Sequence, residues 1–226
     1  RVHFLDIGKS NENLFFQSEK DLMAYSIKAY FYSKRLMRAK KYDFVHAFFG
    51  VPCGFLAMLL GKKYIVSLRG SDVPFHNPRF RFLDEYVFSK LSKIIWRGAK
   101  AVIANSENLI CEASRLGYGV DIGLIHNGVD AEKYFPRENT MEKKPRGLRF
   151  LYAGRLSPVK GVDKLISAFH EICSKKPEAD IELWVAGDGK LGKNLKIQSE
   201  TLPLGRKIKF LGRVPEDRMP DIYRKC

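Results

Sequence analysis

"YAGRLSPVKG", residues 152–161, sets an arginine and a lysine five positions apart in a turn that also holds Gly154, Pro158 and Gly161. The residues before it, "RFLYAG" (149–154), read as a strand, and Gly154 lets the backbone turn. After it, Val162, Leu165, Ile166, Phe169 and Ile172 recur with helical period. A strand–turn–helix unit of this kind places its turn at the carboxyl end of a parallel strand. That is the edge where open α/β sheets bind ligands, and where helix N-termini offer N–H groups to phosphate. Arg155 and Lys160 would bring two cations there, one a bidentate fork and one a point charge, a pair suited to a diphosphate. The same two charges also suit an ordinary solvated loop, and spacing alone leaves both readings open.

The pattern repeats outward from this stretch. Downstream, strands are expected at 180–186 and 207–212, with helices at about 161–175 and 190–201 and a last helical stretch from about 216. Upstream, strands are expected at 2–5, 43–49, 64–68, 100–104 and 121–126. Between them 82–97 is the clearest helix, with Leu83, Val87, Leu91 and Ile94 as the stripe that should pack on a sheet. Asn-Gly in "HNGVD" (126–130) marks a turn, and 131–147 is charged with two prolines, as in a linker. The reading is an α/β protein with one parallel-sheet domain over 1–130, a linker over 131–147 and a second domain over 148–226. Three βα units make only half of a doubly wound sheet, so the second domain is expected to be incomplete.

Composition bounds the function. With 45% hydrophobic and 29% charged residues over 226 positions, disorder is excluded. Forty Lys and Arg against twenty-five Asp and Glu leave a net charge of +15, which favours an anionic partner such as a nucleotide, a nucleic acid or an acidic membrane surface. Lys34, Arg35, Arg38, Lys40 and Lys41 crowd the end of an expected helix. They serve either to complement its C-terminal dipole or to attract acidic lipid headgroups. Cys53, Cys111, Cys173 and Cys226 form no C-x-x-C, which points away from disulfides and zinc and toward a reducing, cytoplasmic setting. The longest apolar run, "GVPCGFLAMLLG" (50–61), has about half the ~20 residues of a spanning helix. The opening "RVHFLDIG" lacks Met and any signal-like leader, so the chain is expected to begin inside a longer native sequence.

Four ordered motifs, "LIHNGVD" (124–130), "YAGRLSPVKGVDKLISAF" (152–169), "VAGDGKLG" (185–192) and "KFLGRVP" (209–215), together resemble glycosyltransferase family 4, the large retaining family of GT-B fold. The resemblance implies a GT-B-like protein with two Rossmann-like domains. It would move a sugar from a UDP- or GDP-type donor to a hydroxyl acceptor, in polysaccharide or glycolipid synthesis. By the same resemblance, Gly154, Arg155 and Lys160 hold the donor diphosphate, and the two cations stabilise the charge that builds on it as the glycosidic bond breaks. Gly187 and Gly189 would line the donor pocket, with Arg213 and Val214 near the nucleobase. No metal is implied, since Arg155 and Lys160 fill the neutralising role, and no cofactor beyond the donor substrate.

The acceptor side falls to His46 and to Arg69, Gly70 and Asp72 in "SLRGSDVPFHNPRF" (67–80). Many relatives carry histidine just before that glycine, where this chain has Arg69. The exchange makes Asp72 the more plausible polar anchor and catalytic candidate, and it eases an anionic acceptor. Asp72 also reads as a turn carboxylate capping the local backbone, His46 as a structural strand histidine, and Asn105 and Ser106 as a plain helix cap. The family's paired glutamates find no match after Arg213, where Glu216 stands alone. The chain is therefore expected to be truncated at both ends and weak in transfer on its own.

Two other readings remain. "GDGKLG" (187–192) satisfies the dinucleotide pattern G-x-G-x-x-G, and Arg213 could face an NADP 2′-phosphate, but this leaves Arg155 and Lys160 unexplained. A non-catalytic GT-B-like binding module, acting on a partner or a membrane, is the other. If the acceptor is lipid-linked, the basic helix end would hold the protein at the cytoplasmic membrane face. Nucleic acid is disfavoured, because no recognition motif for it is present.

Overall fold

Every strand pair in the described residues is parallel, as the alternation of short β-rich runs with helical segments predicts. The computed structural model describes residues 3–8, 18–136, 147–201 and 207–226. Positions 137–146 of the expected linker lie outside them. The chain divides into two compact units, Arg1–Gly128 and Val129–Cys226.

The first unit holds a four-stranded sheet in sequential order, β1 (Phe44–Phe48), β2 (Lys63–Leu68), β3 (Ala101–Ala104) and β4 (Ile122–Leu124). The stretch "YIVSL" is buried on both faces of β2, as a central parallel strand should be, and Val66 and Leu68 are fully inaccessible. Against the sheet pack Ile95 and Trp96, each burying apolar surface worth about 2–3 kcal/mol. These come from α4 (Ser89–Gly98), which follows a short α3 (Arg81–Leu83) through a π turn at Asp84–Phe88. The Tyr64 hydroxyl donates to the Ile95 carbonyl at 2.7 Å. The remaining helices of this unit are α1 (Glu19–Ala39), α2 (Phe55–Leu59) and α5 (Glu107–Ser114).

Two expectations are corrected here. The helix over 82–97 forms, but its inner face is Asp84, Ser92, Ile95 and Trp96, while Val87 and Ile94 are exposed. The π turn adds a residue to one turn, so the regular four-four-three stripe is broken: Val87 and Ile94 leave the sheet face, and Leu91 still packs against the core. The strand expected at 2–5 does not form over its described residues, 3–5. Segment 3–8 is tied to α1 instead, by the Tyr32 hydroxyl to His3 Nδ1 (2.6 Å) and by Lys28 Nζ donating to the Asp6 carbonyl (2.7 Å). Helix α1 itself starts on a reciprocal capping box between Ser18 and Asp21. Among the described residues no helix is long and apolar enough to cross a membrane.

The second unit follows its expected series closely: β5 (Leu148–Ala153), α6 (Val162–Lys175), β6 (Ile181–Ala186), α7 (Gly192–Thr201), β7 (Ile208–Gly212) and α8 (Met219–Arg224). The strands lie in the order β5-β6-β7. Helix α6 lays Val162, Ile166, Phe169 and Cys173 onto Leu183 and Val185 of β6. Ile172, expected on that face, is exposed, because the four-three-four spacing gives its place to Cys173.

Candidate functional site

The loops at the carboxyl ends of β5, β6 and β7 fit together through backbone. Gly154 N–H donates to the Ala186 carbonyl (2.9 Å), Leu156 N–H to the Asp188 carbonyl (3.0 Å), and Gly187 N–H to the Gly212 carbonyl (2.7 Å). Such close approach is possible only without side chains. A Cβ on Gly187 (φ +143°) would lie 1.9 Å from the Gly154 carbonyl oxygen, and one on Gly189 (φ +159°) 2.4 Å from that of Leu156. Gly187 and Gly189, the first two glycines of "GDGKLG", are thus required by the neighbouring 154–157 loop, and their presence needs no dinucleotide to explain it.

This scaffold fixes the turn carrying the two expected cations. Leu156 is a buried anchor, and the Tyr152 hydroxyl donates to the Arg155 carbonyl at 2.9 Å. A 3₁₀ turn at Pro158–Lys160 then leads into α6 through Gly161 in the left-handed region (φ +62°), with no side-chain cap. The first-turn amides of α6 therefore meet no capping side chain, and Arg155 and Lys160 are both exposed beside that helix start. Cations carried next to a helix N-terminus form an arrangement that holds phosphate oxygens. Arg213 is exposed and Val214 half-buried, directly after β7 at the same sheet edge. The structure thus gathers Gly154, Arg155, Lys160, Gly187, Gly189, Arg213 and Val214 along the carboxyl edge of one sheet.

The corresponding edge of the first unit is tied by side chains. Asp72, 8% exposed, accepts from the Gly50 amide (2.7 Å) and the Arg69 amide (2.8 Å), joining the loops after β1 and β2. Burial pushes its carboxyl above the usual value, and the amide hydrogen bonds only partly oppose that shift. With both oxygens engaged by backbone, Asp72 holds the loop shape. Gly70 adopts φ +115°, and a Cβ there would press on His76 Nε2 at 3.2 Å. His76 Nδ1 in turn meets Glu112 Oε2 at 2.6 Å, and this hydrogen bond draws the glutamate below its ordinary range.

His46 stands in the middle of β1, where its neighbours through Phe48 continue the ladder with β2. It is hydrogen-bonded to the Ser67 hydroxyl (2.7 Å) and stacked on Phe48. Ser106 caps α5 through the Leu109 amide, and the Asn105 carbonyl engages His126. Sequence reasoning missed Phe48 and Asn127. The Arg69 guanidinium lies over the Phe48 ring, 4.7 Å from its centre, and its Nη1 donates to Asn127 Oδ1. Asn127 sits inside the "LIHNGVD" motif, a signal that was present but gave no partner. Phe48 gave none.

Known proteins converge on one group. Residues 13–133 match the model described as Glycosyltransferase Family 4, and 133–226 the model described as Glycosyl transferases group 1. An uncharacterized glycosyltransferase of Methanocaldococcus jannaschii is 27% identical over 215 residues, covering 90% of this chain and 53% of that protein. The N-acetyl-α-D-glucosaminyl L-malate synthase of Bacillus anthracis is 29% identical over 73% of this chain and 46% of its own length. Among solved structures, a sucrose-phosphate synthase from Thermosynechococcus elongatus superposes with a TM-score of 0.74 at 15% identity, over 94% of this chain and 56% of that one. The chain spans about half the length of the relatives it matches.

Proposed function

Because this chain belongs to glycosyltransferase family 4, of GT-B fold, we propose that it acts in moving a sugar from a nucleotide-sugar donor of UDP or GDP type to a hydroxyl acceptor, with retention of anomeric configuration. The observation that carries this reading is the backbone-locked turn 154–161. It presents Arg155 and Lys160 beside the uncapped start of α6.

In this reading the α6 amides and Lys160 hold the donor diphosphate, and Arg155 forks onto its oxygens. As the glycosidic bond breaks, negative charge grows on the leaving diphosphate, and the two cations already in place stabilise it with little reorganisation. Gly187 and Gly189 allow the second loop to close under the first. Arg213 and Val214, which follow β7, would meet the base. Asp72 shapes the acceptor-side loop, where His46, Arg69 and Gly70 supply the polar and small surfaces. Polysaccharide or glycolipid synthesis fits this chemistry.

The test is thermal. UDP or GDP should raise the melting temperature, Arg155→Ala should abolish the rise, and turnover should fall about 10²–10³-fold in that variant. No shift with either nucleotide sinks the donor reading.

Attachment to an anionic membrane surface is the finer part of the proposal. Met23, Ile27 and Phe31 form an exposed stripe along α1, and it runs into exposed Lys34, Arg35, Arg38, Lys40 and Lys41. An apolar stripe with a basic end suits a headgroup interface. Flotation with anionic vesicles should carry the protein, and charge reversal over 34–41 should release it; equal flotation of both forms removes this part.

A further inference from the structure

The loop after β2 holds a cation that forms no ion pair among the described residues. Arg69 is fixed at three points: its amide on the Asp72 carboxylate (2.8 Å), its guanidinium plane over Phe48 (4.7 Å), and its Nη1 on Asn127 Oδ1. The carboxylates engaged by this loop are already committed. Asp72 is buried and bound by two amides, and Glu112 is paired with His76 at 2.6 Å. Among the described residues the Arg69 guanidinium thus meets an amide oxygen and a ring face, and no carboxylate within ion-pair distance. A guanidinium has five N–H donors in a rigid fork, and one is spent on Asn127.

Side-chain entropy is the usual cost of recruiting a long arginine, and here the fold has already met it. Phe48 and Asn127 come from the edges on either side of β2 and β3, so the fork lies along the carboxyl edge of the whole sheet. Polar groups stand near it on the same edge. Gly70 turns the loop at φ +115° with His76 packed against it, and His126 follows β4 with Nδ1 on the Asn105 carbonyl (3.2 Å).

We infer that Arg69 is a specificity-determining residue that binds a carboxylate or phosphate group carried by the acceptor. The acceptor class is therefore a small hydroxyl compound with an anionic substituent, a hydroxy acid or a sugar phosphate. This inference rests on the glycosyltransferase reading for the word acceptor, but the anion site itself is a property of the first unit alone. A mere latch between the loop and residue 127 would need only the single contact to Asn127. Binding an anion needs the remaining forked donors.

The experiment measures binding to the intact chain by calorimetry, using L-malate, fructose 6-phosphate, inorganic phosphate and the uncharged fructose and glycerol as probes. UDP is titrated in parallel as a report on the second unit. Wild type is expected to bind malate or fructose 6-phosphate and not the uncharged compounds, with affinity falling as salt rises. Malate and the phosphates distinguish a carboxylate from a phosphate site. Arg69→Gln should lose at least about tenfold in that affinity, the size expected of a charge-assisted bidentate contact. Arg69→Lys, which keeps the charge without the fork, should fall between. UDP binding should not change in either variant. The inference is overturned if wild type binds none of the anions, if neutral compounds bind as well, or if Arg69→Gln binds them undiminished. Loss of UDP binding in wild type, with anion binding intact, would instead remove the donor reading. Should Arg69→Gln fail to fold, Arg69→Lys carries the test: undiminished affinity in it overturns the bidentate claim.

Discussion

The two sheet edges present similar loops built in different ways. Along β5–β6–β7 the loops are joined by backbone hydrogen bonds, and two glycines are the condition for their approach. Along β1–β4 they are joined by side chains: Asp72 to Gly50 and Arg69, Arg69 to Phe48 and Asn127, His76 to Glu112. A backbone-built edge is rigid to sequence change at its glycines and indifferent elsewhere. An edge built from side chains can be retuned one residue at a time.

The largest effect should come from the backbone-built edge. Gly187→Ala would place a Cβ 1.9 Å from the Gly154 oxygen, so the loops must separate. A loss of about 3 kcal/mol or more is expected, read as chemical denaturation of the second unit. Gly212, also at positive φ (+66°) but with nothing within 4 Å of its Cβ position, is the comparison: Gly212→Ala should cost about 1 kcal/mol. Equal losses at both sites would mean that strain at positive φ, and not contact between loops, governs this edge.

This contrast explains what could be read from sequence. The second unit was legible almost to the residue, because glycines at fixed spacing after short strands have few other uses and the helix α6 has regular period. In the first unit the strands were legible and the connections less so. The π turn at Asp84–Phe88 rotates a helix without any compositional mark, so Val87 and Ile94 of the expected stripe face outward while Leu91 still packs against the core. The contact of Arg69 with Asn127 spans 58 residues and depends on which strand lies beside which. Arg69 itself drew notice only as a departure from a family pattern. Its partners needed the fold.

A middle-sized effect tests the edge held by side chains. Asp72→Asn keeps the shape but replaces one accepting oxygen with a donor, leaving the Gly50 or Arg69 amide unpaired in a buried place, a cost of about 2 kcal/mol. Its pH signature has an unusual sign. Burial raises the folded carboxyl above its ordinary 3.8, so the folded state holds the proton more tightly. From this group alone, stability rises as pH falls from the raised value toward 3.8. Denaturation across that window should show the contribution in wild type and lose it in Asp72→Asn.

The second unit supplies the opposite sign. Glu182 is pulled below its ordinary 4.5, chiefly by the hydrogen bond from Lys209 (2.5 Å), with Trp184 (3.0 Å) and Arg149 (3.1 Å) adding to it. Its contribution is present above 4.5 and is lost as pH falls through the lowered value. Glu182→Gln should flatten that acid loss, a smaller effect than Asp72→Asn because the network is partly exposed. If both variants change the acid response in the same direction, the two carboxylates do not sit in the contrasting environments described.

The smallest effect isolates the ring beneath Arg69. Phe48→Leu keeps an apolar side chain on β1 and removes the aromatic face under the guanidinium, worth about 0.5–1 kcal/mol at an exposed site, or about a threefold weakening of anion binding. His46, stacked on the same ring at 4.5 Å, keeps its Ser67 hydrogen bond, so the loss should be confined to Arg69. Calorimetry with the anion that binds wild type reads the change, and UDP affinity should stay constant. A loss as large as that of Arg69→Gln would show the ring to be a direct contact of the ligand. No loss would show that Asn127 and the backbone alone aim the fork, and the edge held by side chains would then rest on fewer residues than its geometry suggests.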